Sequence, residues 1–292
     1  MSYLSASDGF LGLPANPGGP FKACLIPFPL ESTVSWKSGT AAGPSAIISA
    51  SHQVELFDET RWCEPYERFT LRCLKQIRPQ PVVADALDQL SAIIQTQQAD
   101  GFFTLVLGGE HSLTAGAVRP FAESFDDLVV VQLDAHADLR DGYEGDHYSH
   151  AAAMRRCLDF DSVSLISLGI RNISSEEVPF LEANPHRINV FWAYEKSSWS
   201  LDALAELING RPVYLTIDVD FFDSSLMPAT GTPEPGGMFW NDAIEILDTV
   251  AKSGRIVAAD IVELAPREHL HACDFLAAKL AYKVLTAISD HR

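Results

Sequence analysis

Apolar residues in this chain gather into short solid runs instead of alternating with polar ones. Runs rich in β-branched residues fall at 23–26, 103–107, 128–133, 163–168, 188–192, 213–217 and 256–261. Each has the length of a strand. A strand that is apolar on both faces is covered on both, as in a parallel sheet flanked by helices. Between these runs, apolar positions at 42–51, 84–98, 113–124, 149–158, 175–183, 201–209, 240–253 and 273–289 recur at helical spacing. Strand and helix therefore alternate, which predicts right-handed crossovers and a single three-layer α/β/α domain around a mainly parallel sheet of about eight strands. That domain is expected over 22–292, with 1–21 as a leading arm. Two stretches break the rhythm: 9–20, dense in Gly and Pro, and 227–238, which reads Met-Pro-Ala-Thr-Gly-Thr-Pro-Glu-Pro-Gly-Gly-Met. Both read as loops, and a long ordered loop following a strand usually shapes a site.

Composition narrows the function classes. Over 292 residues, 21 Lys plus Arg stand against 39 Asp plus Glu, a net charge of −18. That sign opposes binding to phosphate backbones or anionic membranes, so neither nucleic acid nor membrane is an expected partner. A hydrophobic share of 47% suits an ordinary globular interior and excludes disorder. Apolar runs stay far below the roughly 18 residues that span a bilayer. The first ten residues carry no basic group ahead of an apolar core, so the expected location is the cytoplasm. Five scattered cysteines, Cys24, Cys63, Cys73, Cys157 and Cys273, form no C-x-x-C pair, which argues against disulfides and thiolate zinc.

In an open parallel sheet, ligands bind beyond the carboxyl ends of the strands. Those ends carry Gly108-Gly109-Glu110-His111-Ser112, Asp134-Ala135-His136-Ala137-Asp138, Asp218-Val219-Asp220 and Glu263. In extended chain, residues two apart point the same way, so Asp134, His136 and Asp138 can face one cavity, as can Asp218 and Asp220. Four such carboxylates without a counter-ion would repel until some took up protons. Two divalent cations cancel the charge, and with His111 and His136 the set fits a binuclear centre that activates a hydroxide. The oxygen-rich donors favour Mn(II), with Ni(II), Co(II) or Zn(II) as alternatives. Taken singly, Asp220 or His111 reads more simply as a turn former or a satisfied polar residue; the joint pattern does not. Glu110 reads equally as a group orienting His111 or as a cap for the helix at Leu113.

The same strings resemble a known family. Gly-Gly-Glu-His-Ser at Gly108, Asp-Ala-His-Ala-Asp at Asp134, Ser-His at Ser149, Asp-Val-Asp at Asp218, Gly-Thr-Pro-Glu-Pro-Gly-Gly at Gly231 and Asp-Ile-Val-Glu at Asp260 occur in the order and spacing of the ureohydrolases. That family includes arginase, agmatinase and related guanidino-acid hydrolases. Ser32-Thr33-Val34-Ser35, then Gly39 and Gly43-Pro44-Ser45-Ala46-Ile47, looks like its opening loop and helix, so the likeness runs from about residue 22 to the end. The resemblance implies one Mn(II) on His111, Asp134, Asp138 and Asp218 and another on Asp134, His136, Asp218 and Asp220, with Asp134 and Asp218 bridging. It also implies an eight-stranded parallel sheet and assembly into trimers or hexamers. The stretch 139–150, continuing to Met154-Arg155-Arg156, looks like agmatinases and their aminopropylagmatine-hydrolysing relatives. It lacks the Asn-and-Ser arrangement with which arginase holds its substrate's α-amino and α-carboxylate groups. Glu110 stands where many members have Asp, Ser224 where Pro is common and Ala151 where Gly is frequent; the last two are expected to line the pocket.

The reaction so implied is hydrolysis of agmatine to putrescine and urea, a step of polyamine biosynthesis. Glu263 is expected to pair with the guanidinium, Asp138 to accept the first proton and His150 to pass it to the departing amine. His147, three residues earlier, is the alternative shuttle. Other substrates stay open: aminopropylagmatine, guanidinobutyrate, guanidinopropionate, guanidine or a formimino compound. An acidic tail would want a basic partner, for which Arg140, Arg171 and Arg267 are candidates, each also readable as a surface or intersubunit ion pair. The non-enzyme alternative is a catalytically silent metal-binding protein.

Overall fold

The computed structural model describes residues 1–291. Eight strands, β1 (Phe21–Phe28), β2 (Phe69–Cys73), β3 (Phe103–Gly108), β4 (Leu128–Leu133), β5 (Val163–Ile170), β6 (Ile188–Trp192), β7 (Pro212–Asp218) and β8 (Arg255–Val262), form one sheet. Their order is β2-β1-β3-β8-β7-β4-β5-β6 and every neighbouring pair runs parallel. Parallel neighbours need crossovers, which the helices supply: α1 (Gly43–Ser51), α2 (Val83–Ala99), α3 (Leu113–Ala122), α4 (Ala153–Cys157), α5 (Val178–Ala183), α6 (Leu201–Ile208), α7 (Trp240–Ser253) and α8 (His271–Ser289).

Helices α1, α6, α7 and α8 pack an apolar core on one face of the sheet, and α2, α3 and α4 pack another on the opposite face. That is why the strand runs are solid: all six residues of β4 are buried. Burying a Val or Leu side chain contributes about 1.5–3 kcal/mol, so covering both faces roughly doubles what each strand adds.

Two sequence expectations need correction. Strand β2 lies at the sheet edge, and only Phe69 and Cys73 of its five residues are buried, so no solid apolar run announces it. The predicted helix over 149–158 is a 3-10 turn at His150–Ala152 followed by the short α4. The Gly- and Pro-rich arm is also less plain than its composition suggests. Phe10, Leu11 and Leu13 are buried, and Leu4 N–H donates to Cys73 O (2.8 Å), which seats the arm on the β2 edge.

Candidate metal centre

All strands deliver their carboxyl ends to one edge, and the four central strands, β3, β8, β7 and β4, carry the chemistry there. His111 sits in the turn from β3 to α3. That turn is possible because Gly108 and Gly109 have no Cβ. One on Gly109 would lie 2.0 Å from Leu30 O, and one on Gly108 2.4 Å from the Leu113 side chain. The turn is tied to its neighbours by Gly109 N–H to Phe28 O (3.1 Å) and Glu110 N–H to Leu30 O (2.7 Å). Glu263, just beyond β8, donates its N–H to Gly109 O (2.8 Å), and its Oε1 accepts the His111 N–H (2.6 Å).

The predicted residues converge, but not by strand alternation. Strand β4 ends at Leu133, so Asp134, His136 and Asp138 belong to the loop beyond it, and Asp138 reaches the cavity in a left-handed conformation (φ +53°). Strand β7 ends at Asp218, and a 3-10 turn at Val219–Phe221 carries Asp220. Glu263 is also left-handed (φ +66°). Non-glycine residues held there store backbone strain, which commonly accompanies a functional site.

His111 Nδ1 lies 3.1 Å from Asp134 Oδ2, 3.0 Å from Asp138 Oδ2 and 3.6 Å from Asp218 Oδ2. His136 Nδ1 lies 2.9 Å from Asp220 Oδ2 and 3.7 Å from Asp134 Oδ1. Two potential ligand groups result, His111 with Asp134 and Asp218, and His136 with Asp134 and Asp220, sharing Asp134. The carboxylates strain against one another. Burial, then the charges of Asp220 and Asp138, push Asp134 up to about 7, and burial pushes Glu263 up to about 8. Burial opposes charging of His136, but Asp220 outweighs it and lifts the imidazole to about 10.

One buried atom tests whether this set fits metal. His111 Nδ1 has no hydrogen-bond partner, although three carboxylate oxygens face it. On the other side of the ring, Nε2 lies 2.9 Å from Thr216 Oγ1, whose single proton goes to Asp260 Oδ1 (2.6 Å). Thr216 can therefore only accept, Nε2 carries the ring proton, and the Nδ1 lone pair points among the acids. Such a nitrogen calls for a cation in front of it, a proton or a metal ion, and the donor set fits a divalent ion.

Sequence reading missed the supports of this centre. Gln132 Nε2 donates to Asp134 Oδ2 (2.8 Å) and accepts at Oε1 from Ser167 Oγ (2.6 Å). Asp260, fully buried, accepts from Thr114, Tyr214 and Thr216. A signal was available: Ser167, Gln132, Thr216 and Asp260 are polar residues within apolar runs, and they are register partners across β5, β4, β7 and β8.

The pocket over these groups is lined by Val34, Trp36, Tyr143, His150, Glu263 and, from the long loop, Gly231 and Thr232. Ala151 lines it; Ser224, contrary to expectation, does not. His147 is exposed beside Arg156 and outside the pocket wall, leaving His150 as the histidine of that segment that reaches it. Glu110 neither touches the His111 ring nor caps α3. It accepts from Ser32 N–H (2.5 Å) and Thr33 N–H (2.7 Å). Arg140 lines the pocket and also pairs with Glu176 (2.8 Å). Arg171, also readable as a surface ion pair, instead donates to the carbonyls of Gly169, Asp220, Phe221, Phe222, Glu234 and Pro235. Arg267 donates to Ser38 O (3.1 Å).

The family model described as "Arginase family" matches residues 21–287. The N(1)-aminopropylagmatine ureohydrolase of Synechocystis sp. is 35% identical over 274 residues, 89% of this chain and 87% of that protein. The agmatinase of Bacillus anthracis is 30% identical over 298 residues, 98% of each chain. Among solved structures, the agmatine ureohydrolase of Thermoplasma volcanium superposes with a TM-score of 0.85 at 26% identity, covering 98% of this chain and 95% of that one.

Proposed function

The chain belongs to the arginase family, and from that membership we propose that it hydrolyses the guanidinium of agmatine to urea and putrescine. The observation that carries this reading is the pair of imidazole nitrogens set on either side of one shared carboxylate, Asp134, beneath a pocket containing Glu263. His111, Asp134, Asp138 and Asp218 would hold one divalent ion and Asp134, His136, Asp218 and Asp220 the other, with Mn(II) favoured by the oxygen-rich donors and Ni(II), Co(II) or Zn(II) as alternatives. When bound, the ions lower the pKa of water toward about 7 and so furnish a nucleophile strong enough for a resonance-stabilised guanidinium.

The remaining work falls to side chains. Glu263 accepts hydrogen bonds from the guanidinium and orients its carbon toward the acid cluster. Trp36 and Tyr143 give the methylene chain apolar walls. Asp138 accepts the proton lost by the attacking water, and His150 delivers it to the departing amine, which leaves protonated. The catalytic unit begins at residue 22, acts in the cytoplasm in polyamine biosynthesis, and assembles with copies of itself as a trimer or hexamer.

The 35% identity to an aminopropylagmatine ureohydrolase favours a second reading in which the tail carries an extra aminopropyl group. Urea release from agmatine and from aminopropylagmatine, assayed separately with Mn(II) or Ni(II) supplied, tests both. Higher kcat/KM on agmatine supports the first reading and higher kcat/KM on aminopropylagmatine the second. Bound metal with no urea from any guanidino compound would favour a binding role.

A further inference from the structure

Glu110 is fully buried beside His111, yet its carboxylate turns away from that ring. Oε2 takes the two backbone N–H groups of Ser32 and Thr33, and Oε1 takes the hydroxyls of Thr33 (2.9 Å) and Ser112 (2.6 Å). Four donors converge on the carboxylate, and together they pin the 32–33 segment at the pocket rim. Thr33 in turn reaches His150. Its Oγ1 accepts the His150 backbone N–H (3.0 Å) and lies 3.2 Å from His150 Nδ1.

A hydroxyl has one proton, and Thr33 gives its own to Glu110. The Thr33 oxygen thus offers only lone pairs to the imidazole, so Nδ1 must carry the hydrogen for that contact to bond. Nε2 is then the unprotonated nitrogen of the neutral ring. It faces Ser35 Oγ (3.5 Å) at the pocket wall, while Ser149 Oγ (3.4 Å from Nδ1) and the edge-on Tyr143 ring complete the surroundings. A proton shuttle has to take up and release its proton at a nitrogen open to the substrate. The opposite tautomer would present an N–H there and could accept nothing.

We propose that Glu110 and Thr33 are positioning residues for His150, a carboxylate and a hydroxyl acting in series to hold the ring with Nδ1–H inward and Nε2 open to the pocket. The kinetic role rests on the hydrolase reading above; the tautomer does not. The length of the Glu110 side chain carries its carboxylate to the opening loop.

The test uses the full chain loaded with Zn(II), its histidines labelled with 15N and the His150 signal assigned by its loss in His150→Asn. Wild type is expected to show the Nδ1–H tautomer, Thr33→Val to lose that bias and Thr33→Ser to keep it. Kinetically, Thr33→Val is expected to lower kcat about tenfold with KM moved less than about twofold, and Thr33→Ser to restore most of the loss. In a His150→Asn background, Thr33→Val should add less than about a twofold further loss, because its effect runs through a ring no longer there. An unchanged tautomer in Thr33→Val, an equal kcat loss in the His150→Asn background, or loss of metal from Thr33→Val would each overturn the proposal. If no guanidino compound yields urea, the hydrolase reading fails and the tautomer measurement alone decides.

Discussion

Thr216 has a single proton to give, and because Asp260 takes it, the far nitrogen of His111 is left free for a cation. Groups that fix the tautomer of a ligating imidazole typically govern metal affinity by 10–100-fold. Thr216→Val keeps the shape of the side chain and removes the acceptor. It is expected to weaken metal binding by about that factor at the His111 group while sparing the His136 group, with Thr216→Ser close to wild type. Competition with a calibrated chelator measures this, and equal affinities for Thr216→Val and wild type would refute it. At this scale the sequence was only half legible. The six candidate ligands stand out because clustered acids and imidazoles at strand ends have few structural uses. Thr216, Gln132 and Asp260 sit inside runs that score as apolar, and their importance emerges only when register aligns them across four strands. Glu110 misled for a related reason: adjacency to His111 suggested a partnership, whereas the side chain reaches residues 77 and 78 positions away.

Elements were easier to read than their joins. Solid runs gave seven of the eight strands, and β2 escaped because an edge strand covered on little of its length has no distinctive pattern. Asp138 and Asp220 share a cavity for a local reason other than the one expected, since a left-handed residue and a 3-10 turn do what extended chain was expected to do. Arg171 shows how much the joins matter. Its fork clamps the turn bearing Asp220 to the 231–238 loop through five carbonyls and holds both to Gly169 of β5 through a sixth. Lysine offers a point charge in place of that planar fork. Arg171→Lys is therefore expected to cut kcat/KM about tenfold and to speed proteolysis within 231–238. Unaltered cleavage rates would count against the clamp.

At the scale of the whole molecule, the acid cluster sets how stability responds to pH. Without metal, Asp134 holds its proton up to about 7 and Glu263 up to about 8. In the unfolded chain both titrate near 4. A carboxyl raised in this way binds its proton more tightly when folded, so its stabilisation is complete below about pH 4 and is lost as pH climbs through 7 and 8. Bound divalent ions would replace those protons. The Tm of chelated protein is accordingly expected to fall between about pH 4 and 8, and that of metal-loaded protein to fall much less. Parallel Tm curves with and without chelator would contradict the account. Among the described residues, no helix is long and apolar enough to cross a membrane.

The strand order carries one more consequence, for biogenesis. The last strand made, β8, ends up in the middle of the sheet, wedged between β3 and β7. Until the ribosome has released it, two bare strand edges flank an open slot, inviting misdirected pairing with other chains. Neither edge can be closed earlier, so a stalled or truncated product lacking β8 should be a poor metal binder and a ready substrate for chaperones and aggregation alike.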